Sequence, residues 1–181
     1  MFDWGTHLFD LMFFLLDEPA AQWVLGAADF SVKNMVFDAP MDALGVSRFR
    51  FDNGVDGVLL TENIKGKQVF IRVLGSEAMM HVEPHGPNAG VYYLGGGTPG
   101  WDKLDLSDME GPLEHPEAVR VSIDHSVQCM KTGAYPLHGS KMALKATELI
   151  FATYASAKLD RKIELPLAPN PDWHLERLFG E

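Results

Sequence analysis

The 181 residues carry 15 Lys and Arg against 25 Asp and Glu, a formal net charge of −10, with 46% hydrophobic residues and one cysteine. That composition is ordinary for a soluble globular domain large enough to bury a core, and an acidic chain without Lys/Arg clusters repels polyanions, so nucleic acid is an unsuitable partner. The longest apolar run, Leu11 to Leu16, is too short to span a membrane, and a lone Cys129 excludes an intrachain disulfide.

The chain opens MFDWGTHLFDLMFFLLDEP, which reads as a helix from Asp3 to Leu16. At about 100 degrees per residue, Asp3, His7 and Asp10 fall within roughly 60 degrees of one another. The apolar residues around them predict a helix buried on most sides. A carboxylate or imidazole kept from water needs a partner, and a substrate could be that partner. The structural alternative makes Asp3 an N-cap and Asp10 a buried companion of His7.

Gln22 to Val32 reads as a strand and Pro40 to Leu44 as a loop. VSRFRFD sets Val46, Arg48 and Arg50 against Ser47, Phe49 and Phe51, and Asn53-Gly54 turns the chain into GVLLTEN, a hairpin signature. QVFIRVLGS, AMMHVEP and GVYYLGG continue as short strands, so a sheet of at least five or six strands is expected. From Pro116 the period becomes helical, with Val119, Ile123, Val127 and Met130 on one stripe and Gly133 as C-terminal cap. A second long helix, Ser140 to Lys158, has an apolar face rich in small residues (Met142, Ala146, Leu149, Ile150, Ala157), suited to close packing on a sheet. A last strand, Lys162 to Leu167, precedes a tail over 168–181. The order predicts an α+β fold: an open, largely antiparallel mixed sheet with helices packed on one face, in one domain over 1–181.

Gly95 to Gly100 satisfies a G-x-G-x-x-G pattern, but the following WDKLDLSDMEGP is polar and stops at Gly-Pro, so no dinucleotide fingerprint forms. The run reads as a loop that can close over a site, with Trp101 as an aromatic wall; a surface tryptophan is the plainer account. His81 and His85 would lie roughly 13 Å apart on an extended strand, a poor metal pair, and His115, His125 and His138 complete no cluster. No metal site is expected. Cys129, at a helical position, reads as a small core residue in a reducing compartment.

Asp3-x-Gly5-x-His7-x-x-Asp10 before an apolar helix resembles the motif that opens the second half of the Gfo/Idh/MocA oxidoreductases. RFRFDNGVDGVLL, VLGSEAMMHV and ATYASAKLDRKIELPL are similar, in the same order, to that family's strand–turn–strand, its GTEG segment and its closing stretch. The resemblance implies the C-terminal α+β domain of an NAD(P)-dependent enzyme acting on a sugar, sugar derivative or cyclitol. The nucleotide-binding domain would be missing, with its glycine-rich loop and Glu-Lys-Pro lysine upstream of the matched region. NAD or NADP would bind the full-length parent and not this chain, which would be inactive alone. Carried over, His7 is the catalytic acid/base, Asp3 holds the substrate or the imidazole, and Asp10 fixes the His7 tautomer or touches another hydroxyl.

The family's open sheet also implies a homodimer or homotetramer formed through its outer face, for which Phe49, Phe51, Leu59, Phe70 and Ile71 offer apolar surface. The expected partner is a small sugar or polyol, with neither nucleic acid nor membrane involved. The expected location is the cytoplasm, and any export signal would lie upstream of Met1. A free-standing binding or scaffold module without redox chemistry is the competing reading.

Overall fold

The computed structural model describes residues 1, 3–32, 34–36, 39–62, 69–84, 86–97, 99–109, 117–137 and 139–170. They fall into two compact units, Met1–Asn63 with Gln128–Glu181, and Ile64–Val127. The expectations at His85, His115, Pro116, His138 and residues 171–181 lie outside the described residues.

In the first unit, helix α1 (Trp4–Leu15) and helix α3 (Ser140–Leu159) pack on a sheet made from β1 (Ala21–Asp29), β4 (Leu44–Phe51), β5 (Asp56–Glu62) and β10 (Ile163–Glu164), in the order β10-β1-β4-β5. A short ribbon pairs β2 (Asn34–Val36) with β3 (Ala39–Met41). The alternation read in β4 holds: Gly45, Ser47, Phe49 and Phe51 are buried, while Arg48 and Arg50 are exposed. Asn53 and Gly54 make the turn, with the Val55 N–H donated to Asn53 Oδ1 at 3.1 Å and Gly54 at φ +87°, a conformation glycine enters without steric cost.

Phenylalanine carries much of the core. Phe9 meets Phe49 edge-on at 5.4 Å, Phe13 meets Phe51 at 5.4 Å, and Phe49 meets Phe51 at 5.0 Å; each buried ring contributes about 2–3 kcal/mol by transfer. From α3, Met142, Ala146, Leu149 and Ile150 close the layer as expected. This helix lies close to β1 because Gly26 leaves room for the Thr153 backbone. The Gly26 N–H bonds Ser156 Oγ at 2.8 Å, and Ser47 and Thr153 share a buried hydroxyl–hydroxyl bond of 2.8 Å.

The second unit carries the sheet β6-β7-β8-β9, formed by Ile71–Leu74, Ala78–Glu83, Gly90–Gly95 and Asp102–Lys103. Helix α2 (Glu117–Thr132) crosses from this unit into the first and ends at Gly133, with φ +74°. Every strand pairing among the described residues is antiparallel, and the α+β architecture with helices on one face of an open sheet is observed.

Several local expectations need correction. One sheet of five or six strands is replaced by two sheets of four and a ribbon, because β5 finds its described partner only in β4 and β6 only in β7. The expected loop from Pro40 to Leu44 is instead the end of β3 and the start of β4; a two-stranded ribbon tolerates the N–H that proline lacks. Phe49, Phe51 and Leu59 are not available to an outer face, since all three are buried beneath the helices. The α2 stripe of Val119, Ile123, Val127 and Met130 is exposed, Met130 by 84%, and Cys129 alone on that helix is buried. Helix α1 is not buried on most sides: Gly5, Phe9 and Phe13 form its one buried line, and Trp4, Leu11, Phe14 and Leu15 are exposed.

Candidate functional site

The buried line of α1 fixes where its polar groups go. Residues at i, i+4 and i+8 share a face, so burial of Gly5, Phe9 and Phe13 turns Thr6 about 60 degrees, Asp10 about 100 degrees and His7 about 160 degrees away from the core. Thr6 and Asp10 thereby flank the groove beside α3, and His7 stands at its outer lip. Together with Gly139, Ala143, Ala146 and Thr147 they line a cleft of about 210 Å³.

Two of the three residues singled out in α1 therefore meet in one hollow. The expected enclosure does not hold for His7, which is exposed, while Asp10 is half-buried. The His7 ring stands edge-on to Trp4 at 6.3 Å. Asp3 occupies the N-cap position but its carboxylate makes no capping bond; its main-chain carbonyl accepts the Thr6 hydroxyl at 2.6 Å, and the side chain is exposed and outside the cleft lining. Trp101 belongs to the second unit, where its ring neighbours are His81 and Arg72.

The far wall was not singled out from sequence. Gly139, Ala143 and Thr147 recur every fourth residue, so they share one face of α3 over two turns. Their small side chains leave the space that the cleft occupies. A search for small and hydroxyl residues at that spacing would have found them, but nothing in the chain ties them to His7. Gly139 is the N-cap of α3 and supplies no side-chain cap. Tyr135 takes over: its ring lies where a Gly139 Cβ would stand, and its hydroxyl oxygen accepts the Lys141 N–H at 2.6 Å. That bond, with Ser140 Oγ at 3.3 Å, holds the Tyr135 phenol below its ordinary pKa by stabilising the phenolate. The Lys141 ammonium sits 4.9 Å from the ring centroid.

Chemically, the cleft offers an imidazole, a carboxylate and two threonine hydroxyls to a small ligand. These are groups that exchange protons and hydrogen bonds with hydroxyls. Gly95 to Gly100 links β8 to β9, with Gly96 and Gly97 in the left-handed region at φ +64° and +83°. It connects two antiparallel strands and opens no phosphate-binding helix.

No family model matches the chain, and no curated protein matches it. Solved structures do. The chain is similar to the WlbA dehydrogenase from Bordetella pertussis in complex with NADH and UDP-GlcNAcA, at 18% identity and a TM-score of 0.65 over 92% of this chain and 46% of that one. It is also similar to the aldose-aldose oxidoreductase from Caulobacter crescentus complexed with glycerol, at 17% identity and a TM-score of 0.66 over 89% of this chain and 46% of that one. A third is an oxidoreductase domain protein from Kribbella flavida, at 17% identity and a TM-score of 0.71 over 91% of this chain and 49% of that one. The chain spans about half the length of the solved structures it matches. At these identities the likeness is one of fold: the chain has the α+β fold found in half of a Gfo/Idh/MocA-type oxidoreductase.

Proposed function

We propose that this chain is the substrate-binding and oligomerisation half of an NAD(P)-dependent oxidoreductase acting on a hydroxyl or carbonyl of a sugar, sugar derivative or cyclitol. One observation carries the reading: on this fold, His7 and Asp10 line a single cleft with the small-residue wall of α3. The proteins matched by fold include one complexed with NADH and UDP-GlcNAcA and one complexed with glycerol, which supports nicotinamide chemistry on a polyhydroxylated ligand.

The outer face of α1 adds a second line of support. Trp4, Leu11, Phe14 and Leu15 are exposed around His7, an apolar surface of the kind that marks an interface. In this reading a nucleotide-binding half covers that surface. When bound, the nicotinamide would supply the hydride donor or acceptor. The residues of this chain do the rest. His7 takes the proton from a substrate hydroxyl on oxidation, or returns it to the carbonyl oxygen on reduction, as an imidazole at an open cleft lip can. Asp10 and the hydroxyls of Thr6 and Thr147 fix the polyol in register, and Asp3, one turn before His7, bonds the part of the substrate that reaches the helix start.

The oligomer contact is assigned to the outer face of the first sheet. Val58 and Leu60 are 66% and 54% exposed. The register places them opposite Arg48 and Val46, with Leu25 and Ala27 on the next strand, so the apolar side chains form a patch around Arg48 suited to a second copy in a homodimer or homotetramer.

The test uses the protein in which this domain is joined to its nucleotide-binding half. His7→Ala should lower kcat/KM by about 10²–10⁴-fold with nucleotide affinity unchanged. Normal turnover in that variant would overturn the assignment.

A further inference from the structure

A second set of groups lies on one face of the second unit's sheet. The register puts Arg72 opposite His81, His81 opposite Tyr92, and Tyr92 opposite Lys103, so these four side chains form one row across four strands. Phe70 and Trp101, two residues before Arg72 and Lys103, flank that row. The Arg72 guanidinium lies 5.8 Å from the Phe70 centroid and 5.5 Å from that of Trp101. The His81 ring is 5.4 to 6.0 Å from Phe70, Trp101 and Tyr92.

The polar bonds have a direction. Arginine only donates, so at 3.5 Å the Arg72 N–H points to His81 Nδ1 as acceptor. A neutral imidazole accepting at Nδ1 carries its proton on Nε2, which donates to Glu83 Oε1 at 3.1 Å. The histidine and glutamate side chains are only 13% and 14% exposed, so this pair is fixed in place behind the arginine. Glu83 is engaged by His81, and among the described residues no carboxylate is bonded to Arg72. Lys103, 5.6 Å from the Tyr92 centroid, donates to the Ala89 carbonyl at 2.8 Å.

A guanidinium held over two rings is partly ordered, so less rotamer entropy remains to be lost when its fork takes a pair of oxygens. An oxyanion can bind such a fork even on a chain of net charge −10, because locally the two cations Arg72 and Lys103 outnumber the one carboxylate of Glu83, which is bonded to His81. Phe70 and Trp101 remain 51% and 39% exposed. Their exposed ring surface beside the guanidinium offers an open aromatic side. A sugar ring needs only one such side for its C–H groups, whereas a nucleobase gains most between two.

We propose that this row binds a sugar bearing an oxyanion, either a carboxylate or a phosphate, with the anion on Arg72 and the sugar ring against Trp101. The proposal rests on the second unit alone and is independent of the cleft at His7.

Saturation-transfer NMR and calorimetric titration of the chain with glucuronate, glucose 6-phosphate, inorganic phosphate and glucose test it. At least one acidic sugar should bind tenfold or more tightly than glucose; glucuronate alone or glucose 6-phosphate alone tells which oxyanion is preferred. Arg72→Gln should weaken that binding at least tenfold and Trp101→Ala measurably, both with unchanged melting temperature. Equal affinity for glucose, retained affinity in Arg72→Gln, or inorganic phosphate binding as tightly as glucose 6-phosphate would each overturn the proposal.

Discussion

Gly26→Ala tests the packing on which the cleft depends. A Cβ at position 26 would overlap the carbonyl oxygen of Thr153 and stand 2.7 Å from its Cγ2 and 2.9 Å from its carbonyl carbon. Ordinary carbon contacts lie near 3.5–4.0 Å, so α3 must move outward by roughly 1 Å. Such overpacking costs about 1–3 kcal/mol. The shift also stretches the bond from the Gly26 N–H to Ser156 Oγ beyond its 2.8 Å, worth about 0.5–1.5 kcal/mol. The expected loss is about 2–4 kcal/mol, a large fraction of a typical folding free energy of about 5–15 kcal/mol. At roughly 2–4 °C per kcal/mol for a chain of this size, the melting temperature should fall by about 5–15 °C. Circular dichroism melts measure this. Gly100→Ala is the control, since a Cβ there meets nothing within 4 Å. Moving α3 also displaces Ala143 and Thr147 from the His7 side of the cleft, so polyol affinity should fall with stability. A melting temperature within about 2 °C of the parent protein would refute the close approach of α3 to β1.

Ala143→Leu fills the cleft from an exposed position on α3 at a helix-propensity cost of a few tenths of a kcal/mol; polyol binding by NMR should be lost with the melting temperature unchanged. Leu60→Asp, at a position 54% exposed on the outer sheet face, should convert an oligomer to monomer in light scattering without unfolding it. In an alkaline absorbance titration Tyr135 should ionise below the ordinary 10.0, and Tyr135→Phe should remove that component. Because the fold favours the phenolate, this group adds stability as pH rises through its folded-state ionisation, and the contribution is complete above the ordinary pKa.

How far the sequence was legible depended on whether the pattern named both surfaces of a contact. In β4, strict alternation is enough to put Phe49 and Phe51 on one face, but not to say which way that face turns: both were offered as outer surface and both are buried beneath the helices. The small residues of α3 predicted close packing, and Gly26 with Thr153 is where it occurs. Helix periodicity says less. Val119, Ile123, Val127 and Met130 do form a stripe, yet it is exposed, because a period of 3.6 identifies a face without identifying its cover. The same gap misled the reading of α1, where counting apolar residues suggested burial all round. What sets its orientation is the line Gly5, Phe9, Phe13, which meets Phe49 and Phe51 and leaves His7 outward.

The two candidate sites differ in how they are encoded, and that difference explains why only the residues of one could be singled out from sequence. Asp3, His7 and Asp10 lie within two turns of one helix, so their mutual placement is fixed by local geometry before any tertiary contact forms. The opposite wall, Gly139 to Thr147, is distant in sequence and meets them only because the phenylalanine core fixes how α1 and α3 pack. The row Arg72, His81, Tyr92 and Lys103 is wholly a product of strand register. A slip of one residue in β7 would send His81 and Glu83 to the other face and leave the arginine without its supporting imidazole. No local pattern in AMMHVE specifies that register, which is why His81 read only as half of a poor metal pair and Trp101 as the aromatic wall of a loop until the strands were paired.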